Sequence, residues 1–133
     1  MNVADIMNRN PARVRMDDTL STALKIMAEQ KIRHVVVMKE PDDVAGIVTD
    51  SDLAMYYDPV KMTPERWERM KVSQLMTARP VSIGSHAPIE AAAKMLLKAG
   101  VTALPVIENG DLRGILSERD FVRHFARESG QSG

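Results

Sequence analysis

The amino-acid sequence states one pattern twice. Met7, Pro11, Val14, Leu20, Ala23, Ile32 and Val37 return 69 positions on as Met76, Pro80, Ile83, Ile89, Ala92, Val101 and Val106. After a one-residue deletion the match resumes, and Gly46-Ile47-Val48-Thr49-Asp50-Ser51-Asp52-Leu53 faces Gly114-Ile115-Leu116-Ser117-Glu118-Arg119-Asp120-Phe121. No other feature restricts the fold as strongly. Two copies are too few for a solenoid, which needs at least about three repeats to bury a continuous core. They fit one body with pseudo-two-fold symmetry, in which the surfaces between equivalent elements are natural ligand sites.

A chain of 133 residues has room for one real core but not for two large independent ones. Its 18 basic residues balance 18 acidic ones, and neither sign forms a block, so nucleic acid is an unexpected partner. No apolar run approaches the roughly 20 residues needed to cross a bilayer, and MNVADIMNRN lacks the apolar stretch of a signal peptide. No membrane association is expected. Cysteine is absent, which removes disulfide and thiolate chemistry and suits a cytoplasmic protein. Ten Met against two Phe and one Trp imply a soft, adaptable core or interface.

Each copy reads as strand, helix, strand, strand, helix. Ala12 to Arg15 is a short extended run, and Asp18 or Thr19 caps a helix to about Gln30 with Leu20, Ala23, Leu24, Ile26 and Met27 at helical spacing. Val35 to Met38 is an apolar, β-branched run of the kind buried on both sheet faces. A turn at 40–43 leads to a strand from Val44 to Val48 and a helix starting near Asp50. In the second copy Pro88 suits a first helical position, Ile89, Ala92, Ala93, Leu96 and Leu97 supply a buried face, and Gly100 fits the left-handed position past the helix end. Leu104 to Ile107 and Leu112 to Leu116 make a hairpin around Asn109-Gly110, and the last helix ends near Glu128. The organisation expected is therefore a first repeat over 1–57, a linker over 58–71, a second repeat over 72–128 and a disordered tail over 129–133. Thr63-Pro64-Glu65 starts a short linker helix, on which Trp67 covers an edge of the core, with a subunit contact as the alternative.

Chemistry concentrates where each copy closes, in Gly-Ile-Val-Thr-x-x-Asp and Gly-Ile-Leu-Ser-x-x-Asp. A hydroxyl residue ending a strand and an Asp three residues later share a small volume at a helix start. One reading is helix capping, with Thr49 and Ser117 as N-caps and Asp52 and Asp120 reciprocating. The other is ligand binding: free N–H groups at the helix start attract a phosphate, and a carboxylate can accept from a ribose diol. The spacing alone leaves both open. His34, His86 and His124 lie on different elements without ligand spacing, so no metal site is expected. No catalytic constellation is present, and no catalytic residue is assigned.

Val3-Ala4-Asp5-Ile6-Met7 and Val72-Ser73-Gln74-Leu75-Met76 open the copies, a Pro and a capped helix follow, and Ala103-Leu104-Pro105-Val106 precedes the Gly-Ile-x-(Thr/Ser)-x-x-Asp close. In this order, twice over, the pattern resembles the cystathionine β-synthase (CBS) domain in its usual tandem pair, the Bateman module. The resemblance covers residues 3 to 125 except the linker. Val36 stands where the second copy has Pro105, and Lys31 where it has Gly100. The fold implied is α/β (α+β), two β-α-β-β-α repeats packed with pseudo-two-fold symmetry.

The resemblance implies a regulatory module and not an enzyme. Such pairs bind AMP, ADP, ATP or sometimes S-adenosylmethionine in two clefts between the copies, with no obligatory cofactor. Carried over by position, the primary cleft combines Ser117, Arg119 and Asp120 with Pro11, Ala12, Ile32, Arg33 and His34. The second cleft combines Thr49 and Asp52 with Pro80, Val81, Thr102 and Ala103. The first of these sets offers Arg33 and Arg119 to a phosphate tail, where the other has the uncharged Thr102 and Ala103. The resemblance also implies a homodimer formed through helices. Because the two copies and the linker use nearly the whole chain, the output is expected to act in trans on an unidentified effector protein. The alternative is a structural or oligomerisation module whose nucleotide sites no longer function.

Overall fold

The computed structural model describes residues 1–41, 43–54 and 62–132. In chain order the elements are α1 (Val3–Ile6), β1 (Arg13–Arg15), α2 (Leu20–Gln30), β2 (His34–Glu40), β3 (Asp43–Thr49), α3 (Asp50–Ala54) and α4 (Pro64–Arg69). A 3-10 turn at Val72–Gln74 precedes β4 (Thr77–Ala78), α5 (Ile89–Ala99), β5 (Ala103–Glu108), β6 (Asp111–Ser117) and α6 (Glu118–Ser132). The chain is thus a mixed α+β fold of two repeats.

The compact units do not follow the repeat boundaries. One unit is contiguous, Ala12–Pro80. The other is split, joining Met1–Pro11 to the chain from Val81 onward. Each repeat's opening segment is therefore built into the unit formed by the other repeat's body.

In the contiguous unit the sheet order is β1-β2-β3-β4. β1 runs parallel to β2, with Val14 opposite Val37, and the other two pairings are antiparallel. Val35, Val36 and Val37 are all fully buried, so both faces of β2 are covered, as the unbroken apolar run predicts. Val35 and Val37 join Leu20, Ala23, Met27, Val48, Leu53 and Val72 in one core cluster. Val36 points to the opposite face by strand alternation and sits across from Ile47. Trp67, on α4, packs against the same cluster and covers its edge as expected. Thr63 caps α4 by accepting from the Arg66 N–H at 3.3 Å.

The split unit repeats this plan with shorter outer strands. β5 and β6 form the hairpin, Ile83 makes a parallel bridge to Val106, and Asn8 makes an antiparallel bridge to Ile115. Proline chemistry accounts for one contraction. The Val36 N–H donates to the Ala12 carbonyl at 3.0 Å and helps to hold β1. Pro105, its counterpart, has no N–H to give, and the matching strand shrinks to a single bridge. Asn109 and Gly110 both take positive φ, 51° and 83°, at the tight turn that their sequence announces.

Three helix ends refine the expectations. Thr19 is the N-cap of α2 and accepts from the Thr22 N–H at 3.3 Å. Pro88 is the N-cap of α5 and not its first helical residue, since its carbonyl already accepts from the Ala91 N–H at 3.1 Å. α6 continues to Ser132, past Glu128, because extending a formed helix costs far less than starting one.

Candidate functional site

In both Thr/Ser-x-x-Asp segments the Asp carboxylate accepts from the N–H of the hydroxyl residue, and the first segment completes the reciprocal cap. In the contiguous unit β3 delivers Thr49 to the start of α3. The Asp52 carboxylate accepts from the Thr49 N–H at 2.9 Å, and the Thr49 hydroxyl accepts from the Asp52 N–H at 3.2 Å. These are the reciprocal bonds of a capping box, with Asp in place of the usual Glu or Gln. In the split unit β6 delivers Ser117 to α6. Asp120 Oδ2 accepts from the Ser117 N–H at 2.8 Å and from the Ser117 hydroxyl at 3.2 Å. The two acids differ in their surroundings. Asp52 is half-buried, whereas Asp120 is only 6% exposed and its Oδ1 lies 3.5 Å from the Arg123 guanidinium.

The start of each inner strand lies beside the cap of its own unit. His34 is opposite Thr49 across β2 and β3, and the Asp50 N–H donates to the Arg33 carbonyl at 3.0 Å. Arg33 Nε stands 4.0 Å from Asp50 Oδ2 on the exposed surface. In the split unit Ala103 is opposite Ser117, and the Glu118 N–H donates to the Thr102 carbonyl at 3.0 Å. The contiguous unit therefore gathers Arg33, His34, Thr49 and Asp52, with Ile32 half-buried just ahead of them. It also holds Ala12, just before β1, and Pro80. The split unit gathers Thr102, Ala103, Ser117 and Asp120, with Arg119 exposed on α6. Pro11 is buried and Val81 exposed at the two ends of the segments that make up the split unit.

Position-by-position reading missed three features. Asp50 beside Arg33 and Arg123 beside Asp120 were foreshadowed only by their places at a helix start and at i,i+3 spacing. The third left no local signal. Glu108 Oε1 accepts from the Ser85 N–H at 2.6 Å and the Ser85 hydroxyl at 2.9 Å, across 23 positions. The Ser85 hydroxyl and N–H stabilise the charged carboxylate and, with His86 nearby, hold its pKa below the ordinary value. Ser85 in turn offers its carbonyl to the Ala4 N–H at 2.9 Å, and Ala87 offers its own to the Val3 N–H at 2.8 Å. The Glu108 contact thus fixes the loop that receives two of the otherwise unpaired N–H groups at the start of α1.

The glycine in each motif answers to the exchanged openers. A Cβ on Gly114 would stand 2.5 Å from the Asn8 carbonyl oxygen and 2.9 Å from Met7 Sδ. A Cβ on Gly46 would stand 2.7 Å from both the Thr77 carbonyl oxygen and Met76 Sδ. The backbone of the opening segment passes directly over each glycine.

Two pseudo-equivalent α+β units, each closing a hairpin on a hydroxyl–carboxylate helix cap, define a tandem-repeat module. The CBS domain model matches residues 3–58 and 72–127, and the chain belongs to the CBS domain family. It is 29% identical over 127 residues to a CBS domain-containing protein of Dictyostelium discoideum, covering 90% of this chain and 88% of that one. It is 33% identical over 122 residues to the homoserine O-acetyltransferase of Methanococcoides burtonii, but that match spans 91% of this chain and only 23% of the enzyme. Among solved structures, that of CBSX2 in complex with AMP superposes with a TM-score of 0.80 at 27% identity, covering 96% of this chain and 98% of that one. Among the described residues no helix is long and apolar enough to cross a membrane.

Proposed function

We propose that the chain is a regulatory sensor of adenosine-containing nucleotides (AMP, ADP or ATP) that signals in trans to an effector protein and catalyses no reaction. The observation that carries this reading is the pair of capped junctions, at which a fixed carboxylate, a hydroxyl and a helix start coincide in both repeats. A carboxylate held by its own cap is oriented in advance for a ribose diol, and the helix start favours an anionic group nearby. The AMP complex of CBSX2, similar over nearly the whole chain, supports the same ligand class.

In this proposal the primary site draws on Pro11, Ala12, Ile32, Arg33, His34, Ser117, Arg119 and Asp120. A second site draws on Thr49, Asp52, Pro80, Val81, Thr102 and Ala103. Arg33 and Arg119, both exposed, supply phosphate donors to the primary site alone. Ligand acts by binding one state of the chain, or of a homodimer, more tightly than the other. Leu97, expected on the buried face of α5, is instead 84% exposed, because Ile89, Ala92 and Leu96 already fill that face, and with Val122 (67%) and Phe125 (62%) on α6 it supports self-association.

Calorimetric titration with AMP, ADP, ATP and S-adenosylmethionine tests the proposal. Asp120→Asn is the decisive variant, because the amide oxygen can still accept from Ser117 while the charge is gone. AMP affinity should fall at least about tenfold, the scale of a lost charged hydrogen bond, with the circular dichroism unchanged. Loss in Asp52→Asn instead would transfer the primary role to the Thr49 set. A second reading, a structural interaction module, has its own support: the Asp120 carboxylate is already engaged by Ser117 and Arg123. No heat and no thermal shift with any of the four ligands would favour it.

A further inference from the structure

The two junctions differ in how many acceptors they leave open. An ionised carboxylate offers about four lone-pair sites. Asp120 is buried, and both sites of its Oδ2 are occupied, by the Ser117 N–H at 2.8 Å and the Ser117 hydroxyl at 3.2 Å. Its Oδ1 faces the Arg123 guanidinium at 3.5 Å. About one site therefore remains for a ligand. Asp52 is half-buried and, among the described residues, accepts only from the Thr49 N–H, at 2.9 Å. About three sites remain there.

The cause is a methyl group. Thr49 and Ser117 hold equivalent positions in the two repeats. A β-branched side chain is confined at χ1, and the Thr49 hydroxyl is held where it accepts from the Asp52 N–H at 3.2 Å. Its orientation leaves the acceptors of the carboxylate alone. Serine has no such constraint, and the Ser117 hydroxyl turns onto Asp120 Oδ2 instead. There it occupies an acceptor that the Thr49 arrangement keeps open.

We propose that Ser117 sets the sugar specificity of the Asp120 site, so that this acid accepts from a single sugar hydroxyl and the site admits monodeoxy adenosine nucleotides as well as AMP. This rests on the nucleotide-sensing reading and narrows it. A ribose diol gains from both of its hydroxyls only where two acceptors are open. With one open, either hydroxyl alone fills it and the other adds nothing to binding. Affinity at this site is then carried by the anionic end of the ligand, where Arg33 and Arg119 are assigned.

Calorimetric titration of the full-length Asp52→Asn chain, in which the other acid is neutral, tests the proposal with AMP, 2′-deoxy-AMP and 3′-deoxy-AMP. With Ser117 in place, the better-bound deoxy isomer should match AMP within about threefold, because no second hydroxyl bond is at stake. Ser117→Ala deletes the hydroxyl donor and Ser117→Thr redirects it, so each opens a second acceptor when added to Asp52→Asn. AMP should then bind roughly tenfold tighter, the scale of one hydrogen bond to a charged group, while the two deoxy isomers keep their affinities. A purely structural role for Ser117 would weaken all three nucleotides together. An AMP preference above about threefold with Ser117 in place overturns the inference, as does the lack of a selective AMP gain in both variants; either result leaves nucleotide sensing standing. An Asp52→Asn chain that binds none of the three overturns the inference and the Asp120 nucleotide site with it.

Discussion

Substituting alanine for Gly114 puts the exchanged opener to a direct test. The added Cβ would stand 2.5 Å from a backbone carbonyl oxygen, that of Asn8, and 2.9 Å from Met7 Sδ. The thioether can swing aside, but the carbonyl cannot move without breaking the two hydrogen bonds between Asn8 and Ile115, each 2.9 Å long. Overpacking of this kind costs about 1–3 kcal/mol, and two lost hydrogen bonds add about 1 kcal/mol each. Reduced freedom of the unfolded chain returns roughly 0.4–1 kcal/mol. A net loss of about 2–5 kcal/mol follows, and at some 3–5 °C per kcal/mol for a chain of this size Tm falls by roughly 6–25 °C. Thermal unfolding followed by circular dichroism measures the loss. Hydrogen exchange localises it, with the Asn8 and Ile115 amides losing protection first. A Gly114→Ala chain melting within about 2 °C of the parent, with both amides still protected, would refute the reasoning.

Other predictions follow from single contacts. Lys31 ends α2 in the left-handed conformation at φ 55°, where the second repeat has Gly100 at 67°. Lys31→Gly should therefore stabilise the chain by about 1 kcal/mol, and Gly100→Lys should destabilise it by a similar amount, both read from urea midpoints. The Ser85 hydroxyl and N–H hold the Glu108 pKa below its usual 4.5. Its contribution to stability is full above that unfolded-state value and is lost as pH falls through the lowered folded one. The Tm difference between the parent and Glu108→Gln should accordingly hold steady near neutrality and shrink in acid, and a difference that does not vary with pH would contradict it. Asp120→Ala, which removes the cap as well as the charge, should melt below Asp120→Asn by roughly 1 kcal/mol of stability.

Local rules carried much of the fold into view. The β-branched run 35–37 predicts a strand covered on both faces, Thr63-Pro64 predicts α4, and Asn109-Gly110 predicts the hairpin turn, because neighbouring residues set each of these. The exchanged openers obey no such rule. Val3–Ile6 and Val72–Gln74 are a turn of helix or less, too short to show periodicity. Their partners, Ala87 and Ser85 for the first and Asp18 and Met16 for the second, lie far along the chain. The same limit governs the candidate site. The Thr49–Asp52 and Ser117–Asp120 caps are visible at spacing three, yet the Ser85–Glu108 contact depends on how a loop and a strand end meet. The motif glycines are conspicuous in the sequence, but the reason for them lies in a backbone that arrives from the other repeat.

The central claim is that a fixed acid at a strand-to-helix junction holds the sugar of an adenosine nucleotide. A crystal structure of the full chain grown with AMP tests this most directly. The ribose hydroxyls should lie within hydrogen-bonding distance of the Asp120 carboxylate, and the phosphate should face Arg33 or Arg119. Saturating AMP that leaves both Asp120 and Asp52 without a nucleotide, or one that binds with its ribose away from either acid, would contradict the account.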